Sequence, residues 1–255
     1  MRNREIDNGQ TFDFGRTSAE YAKYRDIYPA ELGERLLALG DGAAGTDWLD
    51  LGTGTGVLPR MLAHHGARIT ALDISENQIA EAVRLSEGNN ISYRVAAAEE
   101  TGCADHSFDA VSAVQCFWYF DRERMKAEIR RILRPDGIFV KVYVGWMKDD
   151  PVASASSALV RELNPDWNSG SPAVKDLRMH IFANPIMESF TAELPFTRES
   201  WHGRMLSCRG VLGSMNLDML TRFIERHTAL MERFPENFTV KHKLFITAYR
   251  MADQT

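Results

Sequence analysis

Between Ala30 and Val144, short apolar runs alternate with stretches in which apolar residues recur every three or four positions. Trp48-Leu49-Asp50-Leu51, Arg68 to Asp73, Ile91 to Ala96, Phe108 to Gln115 and Ile138 to Val144 read as five strands. The segments between them have a helical period. Leu32, Leu36, Leu37 and Leu39 share one side of a helix over 30–39; Val57, Leu58, Met61 and Leu62 do so after a glycine loop. Ile79, Ala82, Val83 and Leu85 mark a third helix behind a Ser75 or Asn77 cap, and a fourth runs from about Arg122 to Leu133. Strands and helices alternating at this interval predict parallel βαβ units in a doubly wound sheet. Arg134-Pro135-Asp136-Gly137 is expected to be the turn before the fifth strand.

Outside that core the rhythm differs. Thr17-Ser18-Ala19-Glu20 signals an N-terminal helix carrying Tyr21, Tyr24 and Arg25. Residues 145–186, with Trp146, Trp167, Pro165, Pro172 and Pro185, read as an inserted helical cap. Phe190 to Phe196 resumes strand character, helices follow around 199–209 and 216–233, and Phe238 to Tyr249 closes the chain as a long returning strand. The expected whole is one α/β domain over 1–255: a Rossmann-like, doubly wound sheet of seven strands, mostly parallel with an antiparallel last strand. Helices of residues 1–45 would lie over its ligand site.

Composition narrows the function. With 255 residues, 44% of them hydrophobic, the chain can bury a full core. A net charge of -5 with interspersed signs disfavours a nucleic-acid face, and no apolar run approaches a membrane span. Cys103, Cys116 and Cys208 are odd in number and widely spaced, which suits reduced thiols in a cytoplasmic protein. His64-His65 and the Cys103/His106 pair lack further ligands, so no metal is expected.

The candidate chemistry lies in Asp50-Leu51-Gly52-Thr53-Gly54-Thr55-Gly56, at the end of the first strand. Glycines there permit unusual backbone angles and close approach of a ligand. A phosphate-binding loop needs Lys-Ser/Thr after its glycines, where Val57-Leu58-Pro59 stand. A dinucleotide fingerprint needs glycine at the sixth position from Gly52, which is Val57. Asp73, ending the second strand, suits a ribose hydroxyl in either nucleotide fold.

The order of signals over about residues 46–144 resembles the class I S-adenosylmethionine-dependent methyltransferases. The resembling motifs are Asp50 to Gly56, Asp73-Ile74, Ala97-Ala98-Glu99-Glu100, Phe108-Asp109 and the segment Gln115 to Asp121. Tyr21-x-x-Tyr24-Arg25, Trp201-His202-Gly203-Arg204 and Cys208-Arg209-Gly210 are similar to a small-molecule subgroup of ubiquinone-biosynthesis and trans-aconitate type. The resemblance implies S-adenosylmethionine as cofactor, S-adenosylhomocysteine as product and in-line methyl transfer to a small acceptor. It implies cofactor contacts from Tyr21, Arg25, Asp50, Gly52, Thr53, Gly54, Gly56, Asp73, Ile74, Ala98, Glu99 and Gln115. Ala97 departs from the aspartate that the family often has there, leaving Glu99 or backbone near Ala98 to meet adenine. Trp118, Tyr119, Trp146, Trp201 and Arg204 are candidates for the acceptor pocket, and no residue stands out as a base. The protein is expected to be a monomer or homodimer. A methyltransferase-like module that binds nucleotide without turnover is the alternative.

Overall fold

The computed structural model describes residues 23–24, 27–40, 44–165, 180–208 and 210–254. The chain divides into two compact units. One comprises Tyr28–Tyr143, Asp176–Ser189 and Phe245–Thr255; the other comprises Met1–Ile27, Val144–Lys175 and Phe190–Leu244.

The first unit opens with α1 (Ala30–Leu39), whose Leu32, Leu36 and Leu37 are buried as the periodicity predicts. It continues through β1 (Asp47–Leu51), α2 (Val57–Ala63), β2 (Arg68–Asp73), α3 (Glu76–Leu85), β3 (Ile91–Val95), β4 (Phe108–Val114) and α4 (Arg122–Ile132) to β5 (Leu133–Trp146). Ser75 caps α3 by accepting the Gln78 N–H, and Asp121 caps α4 by accepting that of Arg124. The later elements are α5 (Pro151–Leu163), β6 (Ile186–Thr197), α6 (Arg198–Leu206), α7 (Leu217–Met231) and β7 (Asn237–Arg250).

The seven strands lie in the order β3-β2-β1-β4-β5-β7-β6. The pairs β2–β3, β1–β2, β1–β4 and β4–β5 are parallel. β7 runs antiparallel to β5. Phe139 stacks on Tyr249, Tyr143 stacks on Phe245, and the Met147 N–H donates to the Lys241 carbonyl. Partner numbers fall on one strand as they rise on the other, and each pair has the same sum. This is the Rossmann-like sheet, mostly parallel with an antiparallel last strand, that the sequence predicts.

One local expectation is corrected. Arg134 to Gly137 is not a turn preceding β5 but an irregularity inside it. Phe108 pairs with Leu133 and Ala110 with Ile138, so β5 advances five residues while β4 advances two. Charge holds the bulged segment. Arg134 pairs with Asp47 at 2.8 Å and also with Asp109, whose other oxygen accepts the Asp47 backbone N–H at 2.8 Å. Asp109 therefore ties together the starts of β1, β4 and β5, far along the strands from the glycine loop.

Each unit has its own core. Leu49, Leu51, Leu72, Val111, Phe139 and Tyr249 are among the buried residues of the first. Val152, Val160, Trp201, Met205, Phe223 and Val240 are among those of the second. In the second core His227 is fully buried against Phe223; its Nε2 meets Ser156 Oγ at 3.0 Å and its Nδ1 meets His202 Nδ1 at 2.9 Å. Ser156 also accepts the Trp201 indole N–H at 2.9 Å. No helix among the described residues is long and apolar enough to cross a membrane.

Burial pushes His227 down to about 3, and the neighbouring His202 acts in the same direction. A depressed histidine contributes stability above its unfolded value near 6.5, and that contribution is lost as pH falls toward 3. Urea unfolding followed by tryptophan fluorescence should therefore weaken by about 1.4 kcal/mol per pH unit below about 6.5 from this group. His227→Gln should flatten that slope. An equal slope in the variant would show that another group governs it.

Candidate functional site

Three glycines with left-handed backbone follow β1: Gly52, Gly54 and Gly56, with φ of 62°, 57° and 78°. An L-residue resists these angles, and the surroundings add a second reason for glycine. A Cβ on Gly52 would stand 2.8 Å from Cys116 Sγ, and one on Gly56 would meet the Tyr93 hydroxyl. The loop is anchored on its neighbours by backbone groups. The Thr53 N–H donates to the Leu72 carbonyl at 2.9 Å, and the Gly54 N–H donates to Asp73 Oδ2 at 2.9 Å. Asp73 Oδ1 accepts the Ser75 N–H at 2.9 Å, so the acid joins the loop to the start of α3. Burial raises the Asp73 carboxyl, while these backbone donors oppose the rise.

Beneath the loop, Asp50 is 2% exposed and lies opposite Ser112 in the β1–β4 register. The Ser112 hydroxyl donates to Asp50 Oδ1 at 2.7 Å and accepts the Trp48 indole N–H at 2.9 Å. Burial pushes Asp50 up to about 6; hydrogen bonds from Ser112 and Thr53 work against it, and nearby Asp73 adds to it. Cys116 closes the other side by donating from Sγ to the Leu51 carbonyl at 3.1 Å. Its thiol is pushed well up by burial and by the two carboxyls.

Around this centre, Ile74 is 56% exposed directly after Asp73, an apolar side chain left open at the rim. Ala98 is buried in the core, and Glu99 Oε1 accepts the Asp121 N–H at 2.9 Å at the start of α4. The following segment is held by Glu128, which accepts both the Thr101 N–H at 2.9 Å and its hydroxyl at 2.6 Å. Gln115 follows β4 with φ 61° while its N–H donates to the Val142 carbonyl. That angle is costly for a residue with a Cβ, and such strain is concentrated at functional sites. The chain then passes through a short 3-10 turn, Phe117–Tyr119, in which Trp118 and Tyr119 remain partly exposed.

Asp50, Gly52, Thr53, Gly54, Gly56, Asp73, Ile74, Ala98, Glu99, Gln115, Trp118 and Tyr119 thus fall in one unit, at or just beyond the ends of β1 to β4. Tyr21, Arg25, Trp167 and Arg209 lie outside the described residues. Trp146, Trp201 and Arg204 belong to the other unit. There Trp201 is completely buried, edge-on to Phe196 and Trp146, and the Arg204 guanidinium lies 5.3 Å over the Trp146 ring. Sequence reasoning missed Ser112, Cys116 and Tyr93. Ser112 had a signal: a hydroxyl within an apolar strand, adjacent to a strand with an acid in mid-run. Cys116 and Tyr93 had none, because their value lies in touching glycines distant in sequence.

The sheet order and the glycine loop closed on an acid define a Rossmann-like domain of the methyltransferase type. Residues 49–141 match the family described as methyltransferase domain. An uncharacterized methyltransferase of Mycobacterium tuberculosis is 30% identical over 145 residues, covering 54% of this chain and 57% of that protein. A malonyl-[acyl-carrier protein] O-methyltransferase of Serratia marcescens is 31% identical over 132 residues, covering 50% and 49%. The matched stretch thus spans about half the length of these relatives. A structure assigned as a type II methyltransferase from Anaeromyxobacter dehalogenans superposes with a TM-score of 0.64 at 26% identity, covering 88% of this chain and 97% of that one.

The buried acid yields a stability test with the opposite sign to that of His227. A carboxyl raised from 3.8 to about 6 contributes stability below 3.8, and that contribution is lost as pH rises through 6. Asp50→Asn should abolish this loss, worth on the order of 3 kcal/mol between pH 4 and pH 8. Urea midpoints of the two proteins across that range check it. Parallel pH curves would mean that Asp50 titrates as it does in the unfolded chain.

Proposed function

We propose that this protein binds S-adenosylmethionine in the first unit and transfers its methyl group to a small-molecule acceptor. The observation that carries this reading is the closure of the glycine loop onto Asp73 by the Gly54 N–H. It leaves a carboxylate and an exposed Ile74 side by side at the strand ends, beside a loop that carries no lysine. A phosphate-free nucleoside ligand suits that donor set. The buried Thr55 hydroxyl, without a partner among the described residues, is a further polar group that a ligand can satisfy.

In this reading Asp73 accepts hydrogen bonds from the ribose hydroxyls, a charge-assisted pairing. Ile74 packs on the adenine, whose amino group is met by Glu99 or by backbone near Ala98. The Gly52–Gly56 backbone, with Thr53, receives the methionine portion, and Gln115 faces its amino or carboxylate end. Asp50 supports the loop from inside the sheet. Trp118 and Tyr119, in the same unit, shape the acceptor side. The cofactor supplies an activated methyl group, so the residues' main task is alignment for in-line displacement, worth up to about 7–11 kcal/mol. The name of the Serratia relative favours an oxygen nucleophile. The protein works in the cytoplasm as a monomer or homodimer.

Titration calorimetry with S-adenosylhomocysteine tests the reading. The wild type should bind, and Asp73→Ala should bind about tenfold to 150-fold more weakly, the scale of one or two hydrogen bonds to a charged group. Asp73→Asn, which keeps an acceptor for Gly54, should retain the fold while losing affinity. Unchanged affinity in a folded Asp73→Ala variant would remove the ribose assignment. Tryptophan quenching by NADH but not by S-adenosylhomocysteine would point to a nicotinamide enzyme.

A further inference from the structure

Three consecutive residues after β3 are tied to one face of α4. Glu99 Oε1 accepts the Asp121 N–H at 2.9 Å, and Glu100 pairs with Arg124 at 3.6 Å. Glu128 accepts the Thr101 N–H at 2.9 Å and its hydroxyl at 2.6 Å. Positions 121, 124 and 128 recur at helical spacing, so all three ties fall on the same side of the helix. The first differs in kind. In a capping box the third helical residue accepts the N–H of the cap; here that residue is Arg124, which has no acceptor. Glu99 takes its place from a distant segment, and a carboxylate beside a helix N-terminus is favourable in its own right.

The same bond closes a short turn. The chain leaves β4 through Gln115, at φ 61°, and passes through the Phe117–Tyr119 turn to the start of α4 at Asp121. Cys116 Sγ stands 2.8 Å, and the Phe120 ring tip 3.2 Å, from where a Gly52 Cβ would be. Phe117 is buried against Phe139, with ring centroids 5.6 Å apart. Trp118 and Tyr119 remain partly exposed, Trp118 lying edge-on to Tyr143 at 5.9 Å.

The turn is therefore held at two points. One is Gly52, against which Cys116 and Phe120 pack; the other is Glu99, bonded to Asp121. In the proposed reading the donor runs between these same two supports. Its methionine portion lies on the Gly52–Gly56 backbone and its adenine beside residues 97–100. A turn hung between two supports loses freedom when a ligand stiffens both.

We propose that Glu99 is a positioning residue that couples the donor pocket to the turn carrying Trp118 and Tyr119. With Oε1 bonded to the Asp121 N–H, its carboxylate is directed at α4, and the adenine amino group is left to backbone near Ala98. Donor binding stiffens the glycine loop and the 97–100 segment together, and Glu99 passes that constraint to the turn. Trp118 and Tyr119 are then set in place in the donor-loaded protein, so the acceptor binds after the donor. Glu99 touches no reacting atom and acts through the backbone of the turn. This deepens the methyltransferase reading and rests on it for the identity of the donor.

Fluorine NMR of the full-length protein labelled with fluorotryptophan tests this, the probe being S-adenosylhomocysteine. The resonance missing from Trp118→Phe is that of Trp118. Adding S-adenosylhomocysteine to the wild type should shift and sharpen it. Glu99→Ala should keep its affinity by calorimetry within about threefold, because the ties at Glu100 and Thr101 remain, yet its Trp118 resonance should not respond. Glu99→Gln, whose amide oxygen can accept the Asp121 N–H, should restore the response. A residue that merely supported the fold would not separate binding from response. Affinity weakened about tenfold or more in a folded Glu99→Ala variant would make Glu99 a direct ligand of the adenine and overturn the proposal. An undiminished Trp118 response in that variant would overturn it too. If the wild type binds S-adenosylhomocysteine with no change at Trp118, the coupling is wrong and the methyltransferase reading stands. If the wild type does not bind it, the donor reading falls and the coupling falls with it.

Discussion

The site depends on one constraint: two carboxyls, Asp50 and Asp73, must be held close together at the ends of neighbouring strands with no cation between them among the described residues. Burial makes each costly, and Asp73 adds to the cost of Asp50. The protein meets that cost with neutral donors. Ser112 serves Asp50 from inside the sheet, and the backbone N–H groups of Gly54 and Ser75 serve Asp73 at its edge. Because the Gly54 N–H must turn toward β2, the loop needs left-handed residues, and because Cys116 and Tyr93 fill the space beside it, those residues must be glycine. The glycines are thus a consequence of the acids.

This ordering explains what the sequence revealed. The Gly52–Gly56 loop, Asp73 and α1 were legible because their signals are local: backbone freedom, a strand-ending acid, a helical stripe. The Arg134–Gly137 bulge was misread because proline, aspartate and glycine usually make a turn. Here the ion pairs of Arg134 with Asp47 and Asp109 keep that segment in the strand. β6 begins at Ile186 rather than near Phe190, since it lies at the sheet edge, where Met187 can stay exposed and the apolar pattern fades. Ser112 was illegible for a different reason: a polar residue in a buried strand acquires meaning only from the register that places it opposite another.

The same distinction separates donor from acceptor chemistry. In the proposed reading, donor contacts come from backbone and from residues fixed by the strand ends. The turn after β4 packs on the β5–β7 face, where Phe117 meets Phe139 and Trp118 meets Tyr143. That face joins side chains more than a hundred positions apart, as Tyr143 and Phe245 are.

The central claim is that the loop closed on Asp73 is where a nucleoside ligand sits. Amide hydrogen exchange of the whole protein, with and without S-adenosylhomocysteine, tests it most directly. The account predicts slowed exchange concentrated in peptides covering residues 52–58 and 73–78, with smaller effects near 97–100 and 115–119. Binding that leaves the 52–58 and 73–78 peptides unchanged, while protecting residues elsewhere, would contradict it.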